Sequence, residues 1–101
     1  MPGAYTVIVY RSVSDPAAVA AYQAKGGPAI AAAGGRFIAR GTPAIEFENG
    51  LNQRLAIVAW PSVDAAVTGY NSEAYQAALA CLGSAADRDV RIIEALDGPE
   101  D

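Results

Sequence analysis

Gly34-Gly35-Arg36-Phe37-Ile38-Ala39-Arg40-Gly41 is the stretch on which the fold turns, because it carries the chain from a helix-like run, Asp15 to Ala33, into an internal strand. The glycine pair ends the helix, since glycine tolerates the left-handed backbone that commonly closes one. Arg36 to Arg40 then begins an extended run, which Gly41-Thr42-Pro43 interrupts. Upstream, Asp15 caps the helix and Pro16 takes its first position, where the missing N–H is no loss. Val19, Tyr22, Gly26, Ile30 and Ala33 recur at helical spacing, while Gly26-Gly27-Pro28 predicts a kink that divides the run into two helical segments. Before them, Ala4 to Arg11 is rich in β-branched and aromatic residues and reads as a strand with apolar residues on both alternating faces.

Downstream, Ala44 to Glu48 and Leu51 to Trp60 are strand-like runs on either side of Asn49-Gly50, a strong hairpin signal. The second and third strands are therefore expected as antiparallel neighbours, bent or bulged near Gly41. Ser62 caps the next helix, which places Val67, Tyr70, Ala74, Ala77 and Cys81 on one face, restarts at Ser72 and closes at Gly83. Asp89 to Leu96 reads as the last strand, and Asp97-Gly98-Pro99-Glu100-Asp101 as a mobile acidic tail. The order is strand, helix, strand, strand, helix, strand. This is the ferredoxin-like α+β pattern, βαββαβ, with a four-stranded antiparallel sheet and its helices on one face. Residues 1–96 form a single domain of this kind. Because Tyr5 to Val9 and Leu55 to Trp60 are apolar on both faces, the uncovered face of the sheet needs a second layer, and a homodimer through that open face supplies it most simply.

A chain of 101 residues with 52% hydrophobic and only 18% charged side chains is apolar for its size, which again favours association. Its net charge of −4 argues against a nucleic-acid partner, whose phosphates need a clustered positive field. No run reaches the roughly eighteen apolar residues of a membrane span, and the first residues lack the pattern of a secretory signal. A soluble, cytoplasmic protein without a membrane partner is expected. One cysteine and no histidine leave no internal disulfide, no Ser/His/Asp triad, no Cys/His dyad and no His-ligated zinc or haem iron, so neither a metal nor a cofactor is expected. Cys81, on an apolar stripe without a neighbouring cation in sequence, reads as an inert buried thiol.

Gly34 to Gly41, taken with Tyr22, Pro28, Arg54-Leu55, Trp60-Pro61-Ser62 and Tyr70-Asn71-Ser72-Glu73-Ala74-Tyr75-Gln76, resembles the bacterial domain-of-unknown-function 1330 family. That family is a branch of the dimeric α+β barrel superfamily, and the resemblance runs from about Ala4 to about Leu96. It implies a ferredoxin-like subunit that pairs sheet to sheet, forming a dimeric α+β barrel. Relatives in the superfamily include cofactor-free monooxygenases, haem-degrading enzymes, lactone isomerases and dehydratases, so the resemblance selects no single chemistry.

Arg11, Arg36, Arg40, Arg54 and Arg91 fall within or at the ends of expected strands. Arg40 and Arg54 match the family pattern and are the anion-binding candidates, since a guanidinium fork makes paired hydrogen bonds to a carboxylate. Alternatively, Arg54 pairs across the hairpin with Glu46 or Glu48. Tyr22 and Tyr70, on the expected inner stripes of the helices, either line a pocket or are core tyrosines with satisfied hydroxyls. Trp60 either bounds that pocket or plugs the core, and Asn71 either faces a cavity or caps a turn. Tyr75 joins Ala78, Leu79 and Leu82 on a neighbouring face as packing. The expected function is to bind, or bind and transform, a small organic acid or polyketide-like aromatic. Arg40 and Arg54 would hold the anionic group, with Tyr22, Trp60, Tyr70 and Asn71 around the rest. The alternative is a non-catalytic structural or regulatory dimer with no ligand pocket.

Overall fold

The computed structural model describes residues 2–96, so the expected tail at 97–101 lies outside the described residues. The elements are β1 (Ala4–Val13), α1 (Pro16–Ala32), β2 (Arg36–Gly41), β3 (Leu55–Trp60), α2 (Val63–Tyr70), α3 (Glu73–Leu82) and β4 (Ala86–Glu94). The strands form one antiparallel sheet in the order β2-β3-β1-β4, the ferredoxin-like arrangement. Ala4, Thr6, Ile8 and Tyr10 are buried under the helices, whereas Tyr5, Val7 and Val9 between them are half-buried on the other face. Cα extents of 40 × 37 × 16 Å fit two layers and no third. No helix among the described residues is long and apolar enough to cross a membrane.

Asp15 caps α1 as expected, its Oδ1 accepting from the N–H groups of Ala17 (3.1 Å) and Ala18 (3.3 Å). The expected kink does not divide the helix, which runs unbroken through Pro28. Gly26 serves close approach instead: a Cβ there would stand 3.1 Å from Cε1 of Tyr22, so the bare backbone lets that ring lie along the helix. The buried stripe is Val19, Tyr22, Gly26, Ala29 and Ile30, and an uninterrupted rod is what sets all five against the sheet.

β2 and β3 are antiparallel neighbours, but not through a tight hairpin, because residues 42–54 form a long loop rather than two strands. The Asn49-Gly50 signal does mark a turn, in which Gly50 N–H donates to the Phe47 carbonyl at 2.9 Å and Glu48 sits at φ 53. The flanking residues join no strand ladder, and Ile45, Phe47 and Leu51 project from the loop exposed.

Ser62 caps α2 and Ser72 caps α3, each accepting from a backbone N–H three residues on, and Gly83 follows the last turn of α3. The buried stripe of this pair is Ala66 and Gly69, then Tyr75, Ala78 and Leu82. The stripe of Val67, Tyr70, Ala74 and Ala77 faces outward instead, with Cys81 half-buried at its end. Both stripes are apolar, alanine-rich and carry a tyrosine, so hydrophobicity alone does not choose between them; tertiary packing takes the one with Tyr75 and Leu82.

Trp60 is 3% exposed, and its indole N–H donates to Thr6 Oγ1 at 2.9 Å. The ring needs two glycines to fit: a Cβ on Gly69 would lie 2.3 Å from its Cη2, and one on Gly35 would lie 2.9 Å from the same atom. Gly35, read from sequence as a helix stop, is equally a packing position.

Candidate functional site: an arginine-lined cavity under helix α1

A cavity of about 40 Å³ lies where one end of the sheet meets α1. Its floor is Ile8, Tyr10 and Ala56, its wall is Tyr22, Gln23, Gly26 and Gly27 of α1, and Phe37 and three arginines complete it: Arg40, Arg54 and Arg88. Strand register explains the convergence. Arg40 of β2 stands opposite Ala56 of β3, Ala56 opposite Ile8 of β1, and Tyr10 of β1 opposite Arg88 of β4, so the helix-facing positions of all four strands meet at this end.

Arg40 reaches the helix side through an irregularity in its strand. Phe37 and Arg40 are three residues apart, and in a regular strand they would face opposite sides of the sheet. A bulge at Ile38 shifts the register, so Phe37 pairs with Val58 and Arg40 with Ala56, both facing the helices. The Arg40 guanidinium therefore stacks over the Phe37 ring, 4.5 Å from its centroid. The bulge expected near Gly41 is thus present three residues earlier. Arg54 is fixed as the last loop residue before β3, where its carbonyl accepts from Tyr10 N–H at 3.0 Å. Arg88 packs against two rings, 4.8 Å from the Tyr22 centroid and 5.4 Å from that of Tyr10, and its Nη1 donates to the Tyr22 hydroxyl at 3.1 Å.

Two buried phenols back the cavity. The Tyr22 and Tyr75 hydroxyls are 2.6 Å apart, with their rings edge to face at 6.0 Å. Burial first, then the Tyr75 phenol, pushes the Tyr22 hydroxyl up to about 12, against the opposing pull of Arg88. Burial alone would lower the Arg88 guanidinium, but the Tyr22 and Tyr75 hydroxyls outweigh it and hold the group above its ordinary value. Because the folded-state value of Tyr22 is raised, its contribution to stability is whole below about pH 10 and is lost as pH rises towards 12, a swing of roughly 3 kcal/mol at most. Phenolate absorbance followed against pH should show a late tyrosine step near pH 12 in the native protein. That late step should be missing in Tyr22→Phe.

The structure brings Tyr22, Arg40 and Arg54 together and sets the other sequence candidates elsewhere. Arg54 makes no ion pair with Glu46 or Glu48: the ion pairs among the described residues join Arg11 and Arg91 to Asp89, at 3.1 and 2.8 Å. Trp60 and Tyr70 border a separate space of about 10 Å³ with Tyr75, too small for a ligand. Tyr70, expected on an inner stripe, lies half out of the fold with its ring tilted on Tyr75 at 5.3 Å. Asn71 is the C-cap of α2 and borders neither space.

Arg88 is the site residue that sequence reading left out, because the last strand was expected to begin one residue after it. A signal was there. Arg88, Val90 and Ile92 share the helix-facing phase of β4, while Asp87, Asp89 and Arg91 share the other, so a lone arginine in the apolar phase marks a charge aimed inward. On the opposite face, hydrogen bonds from Arg91 first, and then the nearby Arg11 charge, hold the Asp89 carboxyl below the usual range.

A family model described as "Domain of unknown function (DUF1330)" matches residues 3–96. No curated protein matches the chain. Among solved structures, it is similar to a protein of unknown function from Rhodopseudomonas palustris, with 21% identity and a TM-score of 0.71 over 96% of this chain and 85% of that one. It is also similar to a mutant of SnoaB, a cofactor-independent oxygenase from Streptomyces nogalater, with 17% identity and a TM-score of 0.67 over 99% of this chain and 100% of that one. A dimeric ferredoxin-like protein of unknown function from Thermobifida fusca shares 16% identity at a TM-score of 0.66, over 93% of this chain and 92% of that one. At such identities the likeness shows the ferredoxin-like fold and not a chemistry.

Proposed function

The chain belongs to the DUF1330 family, and on that premise we propose that it works as a sheet-to-sheet homodimer, each subunit binding a small organic acid in the cavity under α1. The observation that carries this reading is the convergence of Arg40, Arg54 and Arg88 on one cavity with no carboxylate in its lining, in a chain of net charge −4. None of the three makes an ion pair among the described residues. Like charges held together in this way are unfavourable until an anion arrives, and the aromatic rings under Arg40 and Arg88 hold the guanidinium groups ready for it. Recognition of this kind needs neither metal nor cofactor, because the arginine fork supplies both charge and hydrogen bonds.

The volume bears on what is bound. About 40 Å³ admits an anionic group of a few atoms. A polyketide-like aromatic would have to leave its rings at the mouth, beside the exposed Arg40. The dimer reading rests on the open face, where Tyr5 meets Ala59, Val7 meets Ile57 and Val9 meets Leu55 with no layer above them, and on the described dimeric state of the Thermobifida fusca protein.

Thermal unfolding against acetate, malonate, benzoate and methyl phosphate tests the cavity, since an anion that binds the native state raises Tm by mass action. Arg54→Ala and Arg40→Ala should leave the free protein about as stable as the parent, because each relieves repulsion. Affinity for the stabilising anion should drop by about 2–5 kcal/mol, as a charge-assisted bond in a partly desolvated site is lost. Equal affinity in parent and variants, measured by calorimetry, would exclude the site.

A further inference from the structure

We infer that the anionic group taken by this cavity is a tetrahedral dianion of the phosphoryl type rather than a single carboxylate, an inference that rests on the anion-binding reading above. Charge is the first argument. Arg40, Arg54 and Arg88 bring three positive charges to one small space whose lining holds no acid, so a monoanion leaves two of them unmatched.

Geometry is the second. The three guanidiniums come from β2, from the residue just before β3 and from β4. Donors arriving from three separate places on the sheet suit a group with oxygens in several directions, whereas one arginine fork already satisfies the two coplanar oxygens of a carboxylate. The faces of Arg40 and Arg88 lie on rings, which leaves their N–H edges for the ligand. At about 40 Å³ the cavity suits a compact head group whose organic remainder extends past Arg40.

Calorimetric titration of the full chain with sulfate, methyl phosphate, inorganic phosphate, oxalate and acetate tests this directly. Sulfate and methyl phosphate should bind at least tenfold more tightly than acetate, and more tightly than the planar dianion oxalate. Inorganic phosphate matching methyl phosphate would assign the site to free phosphate, and a clear preference for methyl phosphate would assign it to a phosphate ester; both support the inference. The pH profile separates ligand from protein. The titratable groups in the lining are Tyr10, Tyr22, Arg40, Arg54 and Arg88, with no carboxylate among them, and the chain has no histidine, the side-chain type whose charge ordinarily changes between about pH 5 and 7.5. Methyl phosphate affinity should therefore rise about tenfold over that window as its second proton, with a pKa near 6, is lost, while sulfate affinity stays flat. Arg54→Gln should weaken sulfate more than acetate. Acetate binding as tightly as sulfate, or oxalate more tightly than either, would overturn the inference while leaving an anion site in place. If none of the five anions binds, the anion-binding reading falls with it.

Discussion

Replacing Trp60 with alanine is expected to lower stability by about 3–5 kcal/mol, the usual loss when a large buried aromatic is removed and its space collapses only in part. The indole fills the junction of β1, β3 and α2, 3% exposed, with Gly35 and Gly69 kept bare for it and Thr6 accepting its N–H. The same change also strands the Thr6 hydroxyl in the core, which adds to the penalty. Gly69→Ala should be damaging for the complementary reason, since its Cβ would meet the ring at 2.3 Å. Chemical denaturation of both variants checks the pair. A Trp60→Ala loss below about 1 kcal/mol, the range of ordinary surface changes, would show that the residue bounds a pocket and does not plug the core.

A charge placed on the sheet should have opposite consequences on its two faces. Val58 faces the helices and is fully buried, so Val58→Asp is expected to unfold the subunit, because an unpaired carboxylate there has no hydrogen-bond partner and no water. Val7 sits in the same sheet beside Ile57 but on the open face, half-buried in the single subunit. Val7→Asp should leave the helical and strand signal of the subunit intact while splitting the proposed dimer. An interface of standard size buries on the order of 1,600 Å², and a pair of carboxylates at its centre removes most of what such an area contributes. Light scattering and circular dichroism together read both outcomes. A parent protein that is monomeric at micromolar concentration would remove the case for the open face as an interface.

The parts of the fold legible in the sequence were those carried by local chemistry. Asp15-Pro16, Ser62 and Ser72 place helix starts because capping is a matter of one side chain and its nearest amides. The βαββαβ order followed from strand composition and those caps. What local chemistry does not encode was misread. Gly26-Gly27-Pro28 looks like a break, yet the helix runs through it, and Gly26 makes room for the Tyr22 ring, whose Cε1 would lie 3.1 Å from a Cβ there. Asn49-Gly50 makes its turn, but whether strands flank it depends on partners that residues 44–48 and 51–54 lack. In α3 two apolar stripes compete, and tertiary packing chooses the one with Tyr75.

The site divides along the same line. Residue chemistry and family pattern single out Arg40 and Arg54, which line one cavity, but the bulge at Ile38 that turns Arg40 towards α1 is a property of strand register and has no local signature. Arg88 was within reach, since its alternation with Val90 and Ile92 sets it on the helix-facing side. Trp60 and Tyr70 were grouped with the arginines because aromatics suit pocket walls, and only the packed structure shows them on the far side of the Tyr22–Tyr75 hydroxyl pair, around a separate and nearly filled space.

The central claim is that Arg40, Arg54 and Arg88 act on one anion. The most direct measurement follows the side-chain Nε–H resonances of isotopically labelled protein while sulfate or a small organic acid is added to saturation. The account predicts that Arg40, Arg54 and Arg88 shift together along one binding curve, while Arg11 and Arg91, already engaged with Asp89 on the opposite face, stay in place. Shifts confined to Arg11, Arg36 or Arg91, or three cavity arginines that respond with unrelated affinities, would contradict it.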